Sequence, residues 1–221
     1  MTASVAILLS GRGSNFLSLH RAMEAGEVPA RIVLVLSNVE GAPGLDKARE
    51  LGLPAQAIPH RGASYRGMKG RKAHEARVLE ALERSGAEWI CLAGYMRLLS
   101  PEFIRRYPQR ILNIHPSLLP AFPGLAAQGQ ALEHGVRVSG CTVHLVDEGL
   151  DSGPIVVQRA VPVLDDDDEE ALSQRILGQE HQAYAAALGL LLTRRWTVEG
   201  RRLVFSSASQ GALDEKDSDG G

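Results

Sequence analysis

Two polar side chains two residues apart, Asn113 and His115, stand in an otherwise apolar run, Ile111-Leu-Asn-Ile114, that leads into Pro116 and Pro120. In a strand, positions i and i+2 share a face. An amide and an imidazole side by side can polarise a carbonyl and carry a proton. A lone Asn or His is more often structural; the pair, ahead of a turn stiffened by prolines, points to chemistry. Asp151 lies in a glycine-flanked stretch, Asp147 to Gly153. A loop acid usually bonds its own backbone or water; folded over His115, it would favour the imidazolium. Ser10-Gly-Arg-Gly-Ser-Asn15 joins an apolar run to a helical pattern. Its glycines let successive N–H groups converge on an anion at a helix N-terminus. The spacing is neither G-x-G-x-x-G nor a P-loop. Glu180 recurs with Leu172, Ile176 and Tyr184 at four-residue spacing, on or beside an apolar stripe. A carboxylate there needs a partner such as an amine, or must reach water at the stripe's edge. No Ser or Cys stands in a nucleophile elbow, and no His, Cys or Asp set has zinc spacing. Direct transfer through a tetrahedral intermediate is the simplest chemistry these residues support.

The elements that must position them follow from the apolar runs. Val5–Leu9, Ile32–Leu36, Ala55–Ile58, Trp89–Ala93 and Ile111–Ile114 read as buried strands. Helical patterns intervene at Phe16–Ala25, Gly44–Leu51 and Ala73–Arg84. The alternation predicts an α/β fold: an open, mostly parallel sheet with helices on both faces. Ligands of such sheets bind at the strands' carboxyl ends, where Asn113 and His115 lie. Gln128–His134 reads as a helix, and Gly140–Val146 with Pro154–Gln158 as an antiparallel hairpin or meander. A long helix runs from Glu169 to Arg194, its acidic approach from Asp165 to Glu170 suiting the helix dipole better than a metal. Trp196–Phe205 is a terminal strand or hairpin, giving the sheet an antiparallel C-terminal extension. Residues 1–205 form one expected domain, and 206–221, small, polar and acidic, a disordered tail.

Composition sets the outer bounds. The 221 residues carry 24 Lys plus Arg against 26 Asp plus Glu, a formal net charge of −2, which argues against a nucleic-acid polymer or acidic membrane as partner. At 5%, aromatics are too few for a stacking surface. Cys91 and Cys141 fit no metal or redox motif and read as reduced, buried thiols. The apolar N-terminal run stops at Ser10 without a basic segment before it, so a cytoplasmic protein is expected.

Four segments occur in order: Ser10–Asn15, Leu92-Ala-Gly-Tyr-Met-Arg-Leu-Leu-Ser100, Leu112-Asn-Ile-His-Pro-Ser-Leu-Leu-Pro120 and Gly140-Cys-Thr-Val-His-Leu-Val-Asp-Glu-Gly-Leu-Asp-Ser-Gly-Pro154. With them the chain resembles, over about residues 4–195, the phosphoribosylglycinamide formyltransferases, also called glycinamide ribonucleotide transformylases. The resemblance implies a Rossmann-like formyltransferase fold and transfer of the formyl group of 10-formyltetrahydrofolate to the amine of glycinamide ribonucleotide, without a metal and with a homodimer left open. By position it implies Asn113, His115 and Asp151 as the catalytic trio. It implies Gly13, Ser14 and Asn15 around the nucleotide phosphate, Glu180 on the ribonucleotide, and Leu177 beside it. For the folate it implies Met96, Arg97, Leu98 and Leu99 on one wall, and His144, Asp147, Glu148, Gly149, Leu150 and Asp151 with Asn113 on the other. Arg71 would reach the folate's glutamate tail, after a stretch, Gly62 to Gly70, that carries extra residues. Leu177, Ala126 and Gly129 depart from residues frequent in the family, and Arg12 is a candidate to replace charge missing at Leu177. If Arg12→Ala leaves the Michaelis constant for the ribonucleotide unchanged, that compensation fails.

Two related activities compete. A formyltetrahydrofolate hydrolase would be expected to carry a further N-terminal domain, and a methionyl-tRNA formyltransferase a basic C-terminal one. A non-catalytic folate or nucleotide sensor is the alternative from another class.

Overall fold

The computed structural model describes residues 2–60 and 67–206. The tail expected to be disordered lies, from residue 207 on, outside the described residues, as do residues 61–66 of the glycine-rich stretch. Continuous apolar runs make the central strands: β1 (Ala3–Leu9), β2 (Ala30–Ser37), β3 (Ala55–Ala57), β4 (Trp89–Leu92) and β5 (Ile111–His115). All five are parallel, and they occupy one side of a nine-stranded sheet ordered β3-β2-β1-β4-β5-β6-β7-β9-β8. β6 (Val138–Leu145) pairs antiparallel with β5, and β7 (Ile155–Pro162) antiparallel with β6. The open question at the C-terminus resolves as a hairpin. β8 (Trp196–Glu199) and β9 (Arg202–Phe205) pair antiparallel, and β9 joins β7 at one register position, Ile155 opposite Arg202.

Helices cover both faces, as expected of a parallel sheet. One core packs α1 (Ser14–Glu24), α2 (Pro43–Glu50), α5 (Ala127–Glu133) and α6 (Glu169–Thr193) on Val5, Ile7 and Leu9 of β1, Cys91 of β4 and Leu112 and Ile114 of β5. The other packs α3 (Gly67–Ser85) and α4 (Pro101–Ile104) on Ala6, Leu8, Ile90 and Ile111. Both cysteines are buried and unbridged. The acids before α6 have local work. Asp168 caps the helix through Ala171 N (2.8 Å), and Arg175 grips Asp167, holding its carboxyl down to about 2. Among the described residues no group of His, Cys, Asp and Glu is placed to hold a metal ion, and no helix is long and apolar enough to cross a membrane.

The strand order places the site. The chain builds outward from β1 to β3, then returns to lay β4 on the other side of β1. The loops after β1 and β4 therefore diverge at a switch point, leaving a crevice at the strands' carboxyl ends. Ser10 spans its floor, with Ser10 N donating to Gly94 O (3.0 Å) and Met96 N to Ser10 Oγ (2.8 Å).

Candidate active site

The alternation of β5 sends Leu112 and Ile114 into the α1/α6 core and turns Asn113 and His115 to the opposite face. The exit from β5 is strapped down. Leu119 N donates to Thr142 Oγ1 (3.0 Å), Thr142 Oγ1 donates to Ser117 O (2.7 Å), and Gln158 Nε2 donates to Leu119 O (2.9 Å). This strap sets the Phe122 carbonyl 2.8 Å from His115 Nε2. A carbonyl only accepts, so Nε2 keeps its hydrogen in either charge state of the ring. The nitrogen free to exchange a proton is Nδ1, which faces Asp151 Oδ2 at 3.4 Å. His115 is buried, 5% exposed.

Asp151 is fixed from three sides. Its backbone is left-handed, with φ 48°, its Oδ2 also accepts from Gly124 N (2.8 Å), and its Oδ1 lies 3.8 Å from His144 Nε2. The expected folding of the Asp147–Gly153 loop over the His115 strand is therefore present, and β6 brings His144 as a third member. His144 Nδ1 donates to Leu145 O (3.0 Å), so Nε2 accepts from Asn113 Nδ2 (3.1 Å). Burial pushes its pKa below the ordinary histidine value, which favours this neutral form. The Asn113 amide is thereby oriented, with one Nδ2 hydrogen and Oδ1 outside that bond. His144 lies behind Asn113, 2% exposed, so its position toward a cosubstrate is indirect.

The turn after β1 has the anion-binding form. Gly13 takes φ 73° at the N-cap of α1, and no side chain caps that helix. The N–H groups of its first turn are thus available to an anion. Asn15 is drawn elsewhere, its Nδ2 donating to Glu180 Oε2 at 2.7 Å. Asn15 Oδ1 is buried and finds no hydrogen-bond partner among the described residues, a ready acceptor for a ligand hydroxyl or amine. Burial raises the Glu180 carboxyl, against the Asn15 hydrogen bond and the nearby His115, which lower it. The expected partner of Glu180 is thus in part an amide of this chain. Leu177, half-buried, is one turn before Glu180 on α6.

Beside the trio, exposed Met96 and Leu98, half-buried Arg97 and Leu99, and Leu150 at the far loop leave apolar surface at the crevice mouth. Arg71 Nη2 donates to Leu98 O (2.9 Å) and its Nε to Glu75 Oε1 (3.2 Å), so this arginine props the Met96–Leu99 segment. Glu75 in turn accepts from Ser100 N (3.0 Å) and Ser100 Oγ. On the other wall Asp147 Oδ1 accepts from Gly149 N (3.2 Å) and Ser152 Oγ (2.7 Å), whereas Glu148 turns outward to Arg105 (2.9 Å). Sequence reasoning gave no role to Phe122 O, Gly124 N, the Ser10 hydroxyl, Glu75 or Thr142. The first two act through backbone atoms, which carry no residue-type signal. The others look in sequence like ordinary loop, helix or strand polar residues.

An amide, an imidazole–carboxylate pair and an uncapped helix N-terminus meet at one switch point, the groups a transferase acting on a carbonyl-level group would need. The chain belongs to the formyl transferase family, whose model matches residues 3–188. It is 50% identical over 189 residues to the trifunctional purine biosynthetic protein adenosine-3 of Drosophila pseudoobscura pseudoobscura; these residues are 85% of this chain but 14% of that protein, so the chain spans about a seventh of it. It is 34% identical to the phosphoribosylglycinamide formyltransferase of Escherichia coli (strain K12), across 93% of this chain and 92% of that one. The crystal structure of glycinamide ribonucleotide transformylase 1 from Symbiobacterium toebii superposes with a TM-score of 0.88 at 45% identity, covering 93% of this chain and 95% of the other.

Proposed function

We propose that this chain transfers the formyl group of 10-formyltetrahydrofolate to the primary amine of glycinamide ribonucleotide, in purine biosynthesis. The observation that carries the reading is the pairing of His115 Nδ1 with Asp151 Oδ2 beside the oriented Asn113 amide. The names of the similar proteins support the formyl transfer and its ribonucleotide acceptor.

In this reading the backbone N–H groups of Gly13, Ser14 and Asn15 hold the nucleotide phosphate, and Glu180 with Asn15 Oδ1 holds the ribonucleotide's hydroxyls or amine. Met96–Leu99 and Asp147–Leu150 flank the folate, with Arg71 behind. The neutral amine attacks the formyl carbon, and its electron pair becomes the new C–N bond as the carbonyl pair moves to oxygen. Asn113 Nδ2 and the Nδ1–H of protonated His115 stabilise that oxyanion; losing one such donor costs roughly 10²–10³ in turnover. The ammonium formed by attack loses a proton to Asp151, directly or through water. His115 gives its Nδ1 proton to the folate nitrogen as the C–N bond to that nitrogen breaks, and recovers one from the Asp151 side. Protons balance: one leaves the amine and one arrives on the folate.

Mixing the protein with both substrates and following folate absorbance tests this. Turnover that requires the amine is expected. Formate release at the same rate without the amine would make the chain a hydrolase, and saturable binding without turnover would make it a sensor.

A further inference from the structure

The turn that follows β1 is held from behind by α2. Gly11 O accepts from Gly44 N (3.0 Å), Arg12 O from Lys47 Nζ (3.2 Å), and Gly13 O from Leu17 N (3.0 Å). Three consecutive carbonyls of the turn are thus committed away from the crevice. In a trans peptide the C=O of one residue and the N–H of the next point in opposite directions. Pulling back the carbonyls of Gly11, Arg12 and Gly13 therefore turns forward the N–H groups of Arg12, Gly13 and Ser14. Two of the three grips come from α2, and they differ in kind. The Gly44 grip is a close backbone contact, since a Cβ on Gly44 would come within 2.8 Å of Leu9 Cδ2 and 3.0 Å of Gly11 O. The Lys47 grip is a side chain bearing a full charge. Its neighbour Asp46 does not neutralise it, being paired with Arg49 at 2.6 Å.

We propose that Lys47 is a positioning residue for the phosphate end of the ribonucleotide. It fixes the Arg12–Gly13 peptide so that Gly13 N–H faces the anion, and it places a positive charge directly behind that peptide. The inference rests on the phosphate reading of this turn given above. It also assigns to α2, an element with no part in the trio or the folate walls, a role in choosing a phosphorylated substrate.

The test compares Lys47→Met and Lys47→Arg with the native protein, in steady-state kinetics and in calorimetric titration with inorganic phosphate, which needs no turnover. Lys47→Met should raise the Michaelis constant for the ribonucleotide about tenfold, as loss of one charge-assisted hydrogen bond implies. It should weaken inorganic phosphate by a similar factor, with kcat, the folate constant and the melting temperature essentially unchanged. Lys47→Arg, which keeps charge and donor, should recover most of both losses. Unchanged ribonucleotide and phosphate affinity in Lys47→Met would overturn the proposal, as would an equal fall in folate affinity or in melting temperature, which would mark a merely structural bond. Absence of amine-dependent turnover in the native protein would instead overturn the proposed function, and the phosphate titration would still decide the role of Lys47.

Discussion

One carboxylate lies beside two imidazoles whose hydrogen-bond partners differ. Asp151 lies 3.4 Å from His115 and 3.8 Å from His144. His144 spends Nδ1 on a carbonyl and Nε2 on the Asn113 amide, and burial lowers its pKa, whereas His115 keeps Nδ1 toward Asp151 Oδ2. Below pH 6.5 the unfolded chain protonates His144 before the folded one does. The associated stability is therefore intact above that value and lost as pH falls toward the folded one. Replacing His144 with Gln should flatten part of the fall in melting temperature between pH 6.5 and 5, while freeing the Asn113 amide and lowering kcat about tenfold or more; melting curves and kinetics across that range check both. Glu180 has the opposite sign. Burial raises its pKa above 4.5, so its stability contribution is full below that value and lost as pH rises through the folded one. Glu180→Gln should melt at the same or a higher temperature at pH 7 and still raise the ribonucleotide Michaelis constant by about tenfold or more, the pattern of a group kept for binding at a cost in stability. The residue types of these sites were legible in sequence because polar groups stood in apolar runs. The atom that works was not: Nδ1 is singled out only by where the carbonyl of Phe122 falls.

At the scale of elements, α6 does more than cover the sheet. Tyr184, one turn beyond Glu180, shares its hydroxyl hydrogen between Leu92 O (3.0 Å) and Leu112 O (2.9 Å), stitching the helix to the last residue of β4 and to β5 just before Asn113. Tyr184→Phe should cost about 1–2 kcal/mol by chemical denaturation, because the carbonyls lose a buried donor that water does not replace. Most elements could be read from their apolar runs, since a strand covered on both faces announces itself. Three features could not. α4 is a single turn, Pro101–Ile104, too short to show a helical period. β7 continues through Arg159 and Pro162, beyond the apolar run that ended at Gln158, because its outer face meets solvent. α3 starts at Gly67, ahead of the pattern read from Ala73, since glycine and lysine carry no apolar stripe.

Across the whole molecule, the sheet divides its labour. The parallel half supplies the anion turn, the Met96–Leu99 segment and the Asn113–His115 pair, whereas the antiparallel half supplies His144 and the loop of Asp151. Even the terminal hairpin, beyond residue 188 where the family match ends, reaches that loop: Arg201 Nη2 donates to Ser152 O (2.9 Å), next to Asp151. Arg201→Ala should lower kcat several-fold without moving the melting temperature, since an exposed bond of this kind adds little stability; paired kinetic and thermal measurements check it. Parallel strands also fix where the polypeptide comes from. β1 enters at Ala3, whose N–H donates to Pro29 O, and runs seven residues, about 20 Å at strand rise, before it reaches the crevice. Anything tethered upstream therefore attaches on the side of the sheet away from the substrates. That geometry keeps a segment fused ahead of β1 clear of the crevice. A bulky domain fused ahead of residue 3 should leave both Michaelis constants unaltered.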